Sequence, residues 1–243
     1  MPAAPLTDPR PSGTPVSSPR TDRSGVAALV PAYQAARHLE SVLQRLLVHL
    51  GADAVLVVDD GSTDATADIA RRAGVRLVQH PQNRGKGAAL CTGFAAAREA
   101  GFTHVVTLDA DGQHPPECIP DFLAARHEAD ILIGWRLHDA SAMPPARRFS
   151  NRATAAILSA LAGQTILDGQ CGYRMLALAA IEGLPLSARG FMLESELLVR
   201  AGRAGARIGH VPIPCVYGDE TSHIDVLRDT GRFVWLVARS FFW

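Results

Sequence analysis

HVVTLDADGQH, residues 104–114, is the stretch on which the reading of this chain turns. Its first half, ending at Leu108, has the make-up of a short strand buried on both faces, and its second half breaks into acidic and glycine residues. Strands of that kind belong to parallel sheets covered by helices, and such sheets bind their ligands beyond the carboxyl ends of the strands. The rest of the chain repeats the pattern. VAALV (26–30), AVLVV (54–58), VRLVQ (75–79) and DILIG (130–134) read as further strands. Between the first two, Leu39, Val42, Leu43, Leu46, Leu47 and Leu50 fall on one helical stripe. Residues 63–73 and 88–100 read as the next helices. The alternation predicts an α/β fold, a mostly parallel sheet flanked by helices on both faces. The second half is less regular, with helices over 147–161 and 193–204 and a late strand over 207–213. No repeat or linker follows residue 25, so residues 25–243 are expected to form one domain.

Composition narrows the function. The first 24 residues hold six of the sixteen prolines and almost no bulky apolar side chain, which predicts a disordered tail. Basic and acidic residues number 24 each, and this balance excludes a general nucleic-acid binder. Cys91, Cys118, Cys171 and Cys215 stand far apart with no CxxC pair, which argues against a zinc site or a disulfide scaffold and fits a reducing, cytoplasmic compartment. The tail lacks the apolar core of a signal peptide, and no uncharged stretch is long enough to span a bilayer. The end of the chain, IDVLRDTGRFVWLVARSFFW (224–243), sets Phe233, Trp235, Leu236, Phe241, Phe242 and Trp243 beside Arg228, Arg232 and Arg239. It reads as a terminal helix lying in a membrane interface at the inner face of the cell membrane; the alternative is a helix packed on its own core.

Six motifs carry chemistry. In an extended segment alternate side chains share a face, so Asp109, Asp111 and Gln113 converge. Two carboxylates and an amide oxygen are hard ligands that suit Mg²⁺ or Mn²⁺, with water and substrate phosphates completing the shell. His114 is a fourth ligand or a loop cap. In VVDDGSTD (57–64), Asp59 and Asp60 leave a strand end where a carboxylate can accept bonds from a base or a ribose, while Ser62, Thr63 and Asp64 read as turn and cap residues. In NRGKGAAL (83–90), Gly85 and Gly87 flank Lys86 before a helix, a place where backbone N–H groups and a cation meet an anion. GWR (134–136), with Arg147 and Arg148 further on, offers guanidinium groups to a leaving diphosphate, and Arg136 is the strongest of the three because it follows a strand at the same sheet edge. In DGQCGYR (168–174) and FMLESE (191–196), Asp168, Glu194 and Glu196 are candidates for acceptor binding or general base.

Taken in order with VPAYQ (30–34), these motifs resemble the glycosyltransferase family 2 pattern over about residues 26 to 240, and within it the branch of polyprenyl- and dolichyl-phosphate sugar synthases. The resemblance implies a GT-A fold, a nucleotide-sugar donor, a divalent cation and inversion at the anomeric carbon. It implies that Pro31, Ala32 and Tyr33 border the base, that Asp60 meets base or ribose, and that Asp109, Asp111 and Gln113 hold metal and diphosphate, with Ala110 between them on the donor side. Arg136 and Arg147 are expected near the donor phosphates or an acceptor phosphate. The family's Asn-Glu after Pro-x-Tyr is Gln34 and Ala35 here, so GDP-mannose and UDP-glucose types of donor stay open. The two transmembrane helices that some relatives carry after the catalytic domain are not expected within residues 25–243.

The expected reaction is direct displacement of a nucleoside diphosphate by an acceptor oxygen. A polyprenyl phosphate would need no strong base, whereas a hydroxyl on a glycan or glycolipid would need a carboxylate such as Asp168 or Glu194. The lipid phosphate ranks first because it suits the apolar, basic terminus. A non-catalytic nucleotide-sugar binding module would be expected to lose acids at the metal site, and all are present. A nucleotidyltransferase would show a glycine-rich basic loop near the first strand, where VPAYQAARHLE has none.

Overall fold

The structure, a computed structural model, describes residues 25–139, 143–187, 190, 192–216, 226–241 and 243. The expected disordered tail, the side chains of Arg228 and Arg232, and Phe242 lie outside what is described. The strands are β1 (Val26–Ala32), β2 (Val55–Asp59), β3 (Arg76–Gln79), β4 (His104–Thr107), β5 (Ile131–Trp135), β6 (Arg174–Ala177) and β7 (Ile208–Pro212). The helices are α1 (Leu39–His49), α2 (Thr66–Arg72), α3 (Lys86–Glu99), α4 (Ile119–Ala125), α5 (Pro145–Ala162), α6 (Met192–Arg203) and α7 (Val226–Ser240). The strands form one seven-stranded sheet in the order β3-β2-β1-β4-β6-β5-β7. β6 is antiparallel to both its neighbours, and every other pair is parallel. All strands except β6 therefore point one way, as the apolar runs predict.

Burial explains those runs. All five residues of β2 are buried, and β1 is buried at every position but Pro31, because helices cover both faces. The predicted stripe on α1 turns Leu39, Val42, Leu43 and Leu46 into the core. The helix expected from residue 63 begins at Thr66 instead. Asp64 accepts the Thr66 N–H at 3.0 Å, so the residues before Thr66 are spent on a turn. Two elements had no signal in the sequence: α4, and the four-residue β6, which opens with an arginine.

β6 decides where the site is built. Because it runs against the others, its lead-in, residues 168–173, arrives at the edge where the parallel strands end. Thr107 at the end of β4 pairs with Arg174 at the start of β6. α5 and α7 both pack against α6. α7 buries Leu236 and Ser240 and leaves Val234 and Trp235 exposed, as is Phe241 just beyond it, so part of the terminal segment packs on the body of the domain. Among the described residues no helix is long and apolar enough to cross a membrane.

Candidate active site

The carboxyl edge of the sheet gathers most of the predicted residues, with two kinds of carboxylate among them. Asp59 and Asp60, expected to meet a ligand, point inward and are buried. Asp59 accepts the Ser62 N–H at 3.0 Å and the Gln79 side-chain amide at 3.0 Å. Asp60 accepts the backbone N–H groups of Arg84 at 3.0 Å and Gly85 at 2.7 Å, and lies 2.6 Å from His80 Nδ1. Asp60 thereby fixes the loop that delivers Lys86, and its oxygens are taken up by the protein. Gly61 adopts φ +75°, as its turn requires. Gln34, also left-handed at φ +51°, is pinned to the same turn through its N–H to Ser62 Oγ at 2.9 Å and its amide to Thr63 Oγ1 at 2.9 Å. The end of β1 is thus tied to the end of β2, with half-exposed Tyr33 at the rim.

Asp109 belongs to the second kind. Its Oδ1 lies 2.7 Å from Lys86 Nζ, and the same ammonium reaches Glu194 Oε2 at 3.1 Å. A lysine from α3, an aspartate from the loop after β4 and a glutamate from α6 so form one cluster. Gly172 makes room for it: a Cβ there would stand 3.1 Å from Glu194 Oε1, 3.1 Å from Lys86 Nζ and 3.3 Å from Asp109 Oδ2. Burial works to lower the Lys86 pKa, but the two carboxylates outweigh it and hold the ammonium above its ordinary value. Burial would raise the Asp109 pKa; Lys86 and then His114 draw it down to about 2. Asp109 is therefore anionic at any working pH.

His114 caps the loop. Its Nδ1 accepts the Asp109 N–H at 3.0 Å, and its ring stacks on Tyr173 at 5.4 Å. Burial lowers the His114 pKa against the pull of Asp109 and Asp111. Ala110 is buried, while Asp111 and Gln113 are half-buried, and Asp111 Oδ1 accepts the Gln113 N–H at 2.9 Å. Among the described residues no three His, Cys, Asp or Glu side chains converge into a complete metal cage. The donors at this edge are hard oxygens, and the charge and half-exposure of Asp109 and Asp111 fit a magnesium- or manganese-like ion.

Arg136 follows β5, and Asp168 precedes β6. Arg136 Nε and Nη2 grip the two oxygens of Asp168 at 2.9 and 3.0 Å, and Asp168 is fully buried. Asp168, expected as a base or acceptor contact, is the anchor of Arg136, with both oxygens engaged. Glu196 is likewise structural: it is buried, accepts Ser187 N–H at 2.7 Å and pairs with Arg200 at 2.9 Å. Arg147 and Arg148 stand in the first turn of α5, the former exposed and the latter half-buried.

Sequence reasoning passed over Arg174. Its buried guanidinium donates to the carbonyls of Cys171 at 2.7 Å, Gly169 at 2.9 Å and Glu194 at 2.8 Å. It fastens the 169–172 loop to the start of α6, which sets Gly172 beneath the charged cluster. A buried arginine opening a strand was the available signal.

Residues 27–182 match the model of Glycosyl transferase family 2. The chain is 31% identical over 202 residues to an undecaprenyl-phosphate mannosyltransferase of Micrococcus luteus, covering 79% of this chain and 83% of that one. It is 33% identical over 200 residues to a dolichyl-phosphate hexose transferase of Haloferax volcanii, covering 78% and 82%. Among solved structures, glucosyl-3-phosphoglycerate synthase from Mycobacterium tuberculosis in complex with UDP superposes with a TM-score of 0.69 at 23% identity, over 88% of this chain and 79% of that chain. That likeness is one of fold, the GT-A architecture.

Proposed function

From a chain that belongs to glycosyltransferase family 2, we propose the transfer of a sugar from a nucleotide-sugar donor to a polyprenyl-phosphate-like lipid, with inversion at the anomeric carbon. The donor is of the GDP-mannose or UDP-glucose type. The observation that carries the reading is the meeting of Lys86, Asp109 and Glu194 over Gly172, at the sheet edge from which Arg136 also projects. Relatives named for undecaprenyl and dolichyl phosphates support the acceptor class.

Pro31, Ala32 and Tyr33 border the base at the end of β1. Asp59 and Asp60 act on the donor indirectly, by shaping the loops around it. Asp109, Asp111 and Gln113 are the residues that would hold Mg²⁺ or Mn²⁺, which when bound draws negative charge off the departing diphosphate. Lys86 is placed to add a second positive charge there, kept in position by Glu194. Arg136, locked by Asp168, and Arg147 offer guanidinium groups to the phosphate of donor or acceptor.

A phosphate oxygen is already anionic and attacks without losing a proton. The state of the two candidate bases agrees with that. Asp168 has both oxygens bound by Arg136, and Glu194 is paired with an ammonium, so both serve as positioning residues. The test is incubation with a panel of radiolabelled nucleotide-sugars, divalent cation and either polyprenyl phosphate or a free polyprenol. Label is expected in the phosphate-bearing lipid alone. Transfer to the alcohol, or to neither lipid with any donor, overturns the acceptor assignment.

A further inference from the structure

His80 directly follows β3, and at 7% exposure it is sealed beneath the loop that leads to Lys86. Its backbone N–H donates to Asp59 O at 2.9 Å, which seats the residue on the end of β2. Both ring nitrogens are engaged. Nδ1 lies 2.6 Å from Asp60 Oδ1, and Nε2 lies 2.9 Å from Thr92 Oγ1 on α3. A carboxylate only accepts, so Nδ1 carries the proton of that bond and donates it to Asp60.

Asp60 passes the hold on. Its Oδ1 accepts the Arg84 N–H and its Oδ2 the Gly85 N–H. Gly85 caps α3, and Lys86 is the first residue of that helix. Pro81, Gln82, Asn83 and Arg84 are all exposed, so packing does little for this loop and the bonds from beneath decide its course. Gly61 lets the loop come down close to the carboxylate: a Cβ there would stand 2.4 Å from the Gln82 carbonyl carbon. His80 therefore grips α3 twice, at the cap through Asp60 and directly at Thr92. Those points are seven residues apart, about 10 Å along the helix axis. Two grips at that separation fix both the advance of the helix and its tilt.

We propose that His80 is a positioning residue for sugar transfer: by holding Asp60 against the Arg84 and Gly85 N–H groups it sets the first turn of α3, and so delivers the Lys86 ammonium to Asp109 and Glu194. The ring is too deeply buried to meet donor or acceptor and acts through Lys86 alone. Its effect on turnover rests on the reading that Lys86 serves the departing diphosphate. Misplacing such a group by about 1 Å lowers the rate by as much as about a hundredfold.

Amide side chains separate the two ring nitrogens in a test. The nitrogen of an asparagine stands where Nδ1 stands, and that of a glutamine where Nε2 stands. His80→Asn thus keeps the bond to Asp60 and gives up Thr92, and His80→Gln does the reverse. In hydrogen–deuterium exchange of the full chain without ligand, His80→Gln should exchange the Arg84 and Gly85 amides about tenfold faster than the wild type, and His80→Asn within about twofold of it. With nucleotide-sugar, divalent cation and polyprenyl phosphate, His80→Gln should lower turnover at saturating donor about tenfold or more, and His80→Asn no more than about threefold. In a Lys86→Ala background His80→Gln should lower the remaining turnover by less than about twofold. A histidine that only stabilised the fold would cost as much in either background. Amide exchange indifferent to His80→Gln, an equal loss in both backgrounds, or a reversed order of the two variants overturns the proposal. So does tenfold faster exchange in His80→Asn, a result that decides the matter even if His80→Gln does not fold. Exchange is read without any substrate, so failure here and failure of the acceptor assignment are told apart.

Discussion

Asp109 and Asp111 stand two residues apart and keep different company. Asp109 spends one oxygen on Lys86, whereas Asp111 accepts a bond from the backbone of its own loop. Asp111→Asn should therefore leave the fold intact by circular dichroism and cut sugar transfer at least about a hundredfold. Turnover like that of the wild type would remove Asp111 from the site. Arg136 behaves differently because its partner is fully buried. Arg136→Ala strands the Asp168 charge, at a cost of about 3 kcal/mol. In a domain of this size that lowers the melting temperature by about 6–12 °C, which differential scanning fluorimetry would register alongside the loss of transfer. The residue scale is also where sequence reading reached least far. Asp59 and Asp60 sit where a ligand carboxylate would sit, and their side-chain type is right. Their orientation depends on donors up to 25 positions away in the chain, as between Asp60 and Gly85, and such pairings leave no mark on local spacing.

Elements were legible in proportion to their apolar periodicity. β1, β2 and the stripe on α1 announced themselves because both faces, or one whole face, are buried. β6 escaped because its four residues begin with an arginine whose role is to hold three carbonyls. Contacts between elements yield two further expectations. α3 lies so close to β1 that a Cβ on Gly93 would stand 2.2 Å from Leu29 Cδ1. Gly93→Ala should destabilise by about 1–3 kcal/mol in urea unfolding, and Leu29→Ala in the same chain should cost less than it does alone. Arg45 on α1 binds Glu117 at 2.9 and 2.5 Å, tying the helix to the loop that follows the acidic motif. That bond to Arg45 holds the Glu117 carboxyl well below its ordinary 4.5, at about 2. A lowered carboxyl pKa stabilises above the unfolded value and ceases to do so as pH falls through the folded one. The pair is largely exposed, so its contribution is at most about 1 kcal/mol. The stability gap between wild type and Glu117→Gln is thus expected to be constant above about pH 5 and to close between about pH 4.5 and pH 2.

At the scale of the whole molecule, the candidate site is assembled from the ends of β1, β2, β4 and β5, the lead-in to β6 and the starts of α3 and α6, so a ligand bound there is expected to stabilise the whole fold. With magnesium or manganese present, the correct nucleoside diphosphate should raise the melting temperature with the logarithm of its concentration once that exceeds Kd, and a chelator should cancel the rise. A rise unaffected by the chelator would dissociate the nucleotide from the ion. The alternation of strands and helices made the architecture readable, because a covered parallel sheet leaves few other patterns. What the sequence concealed was the one strand laid in against the grain. That strand bears on the order in which the chain can assemble. β4 and β5 have no edge in common until β6 is laid between them, and Thr107 meets Arg174 only across 67 residues. A nascent chain emerging from the ribosome therefore carries β1 to β4 as an unfinished ledge, and the acidic loop gains its floor only after the strand made more than sixty residues later has been threaded into place.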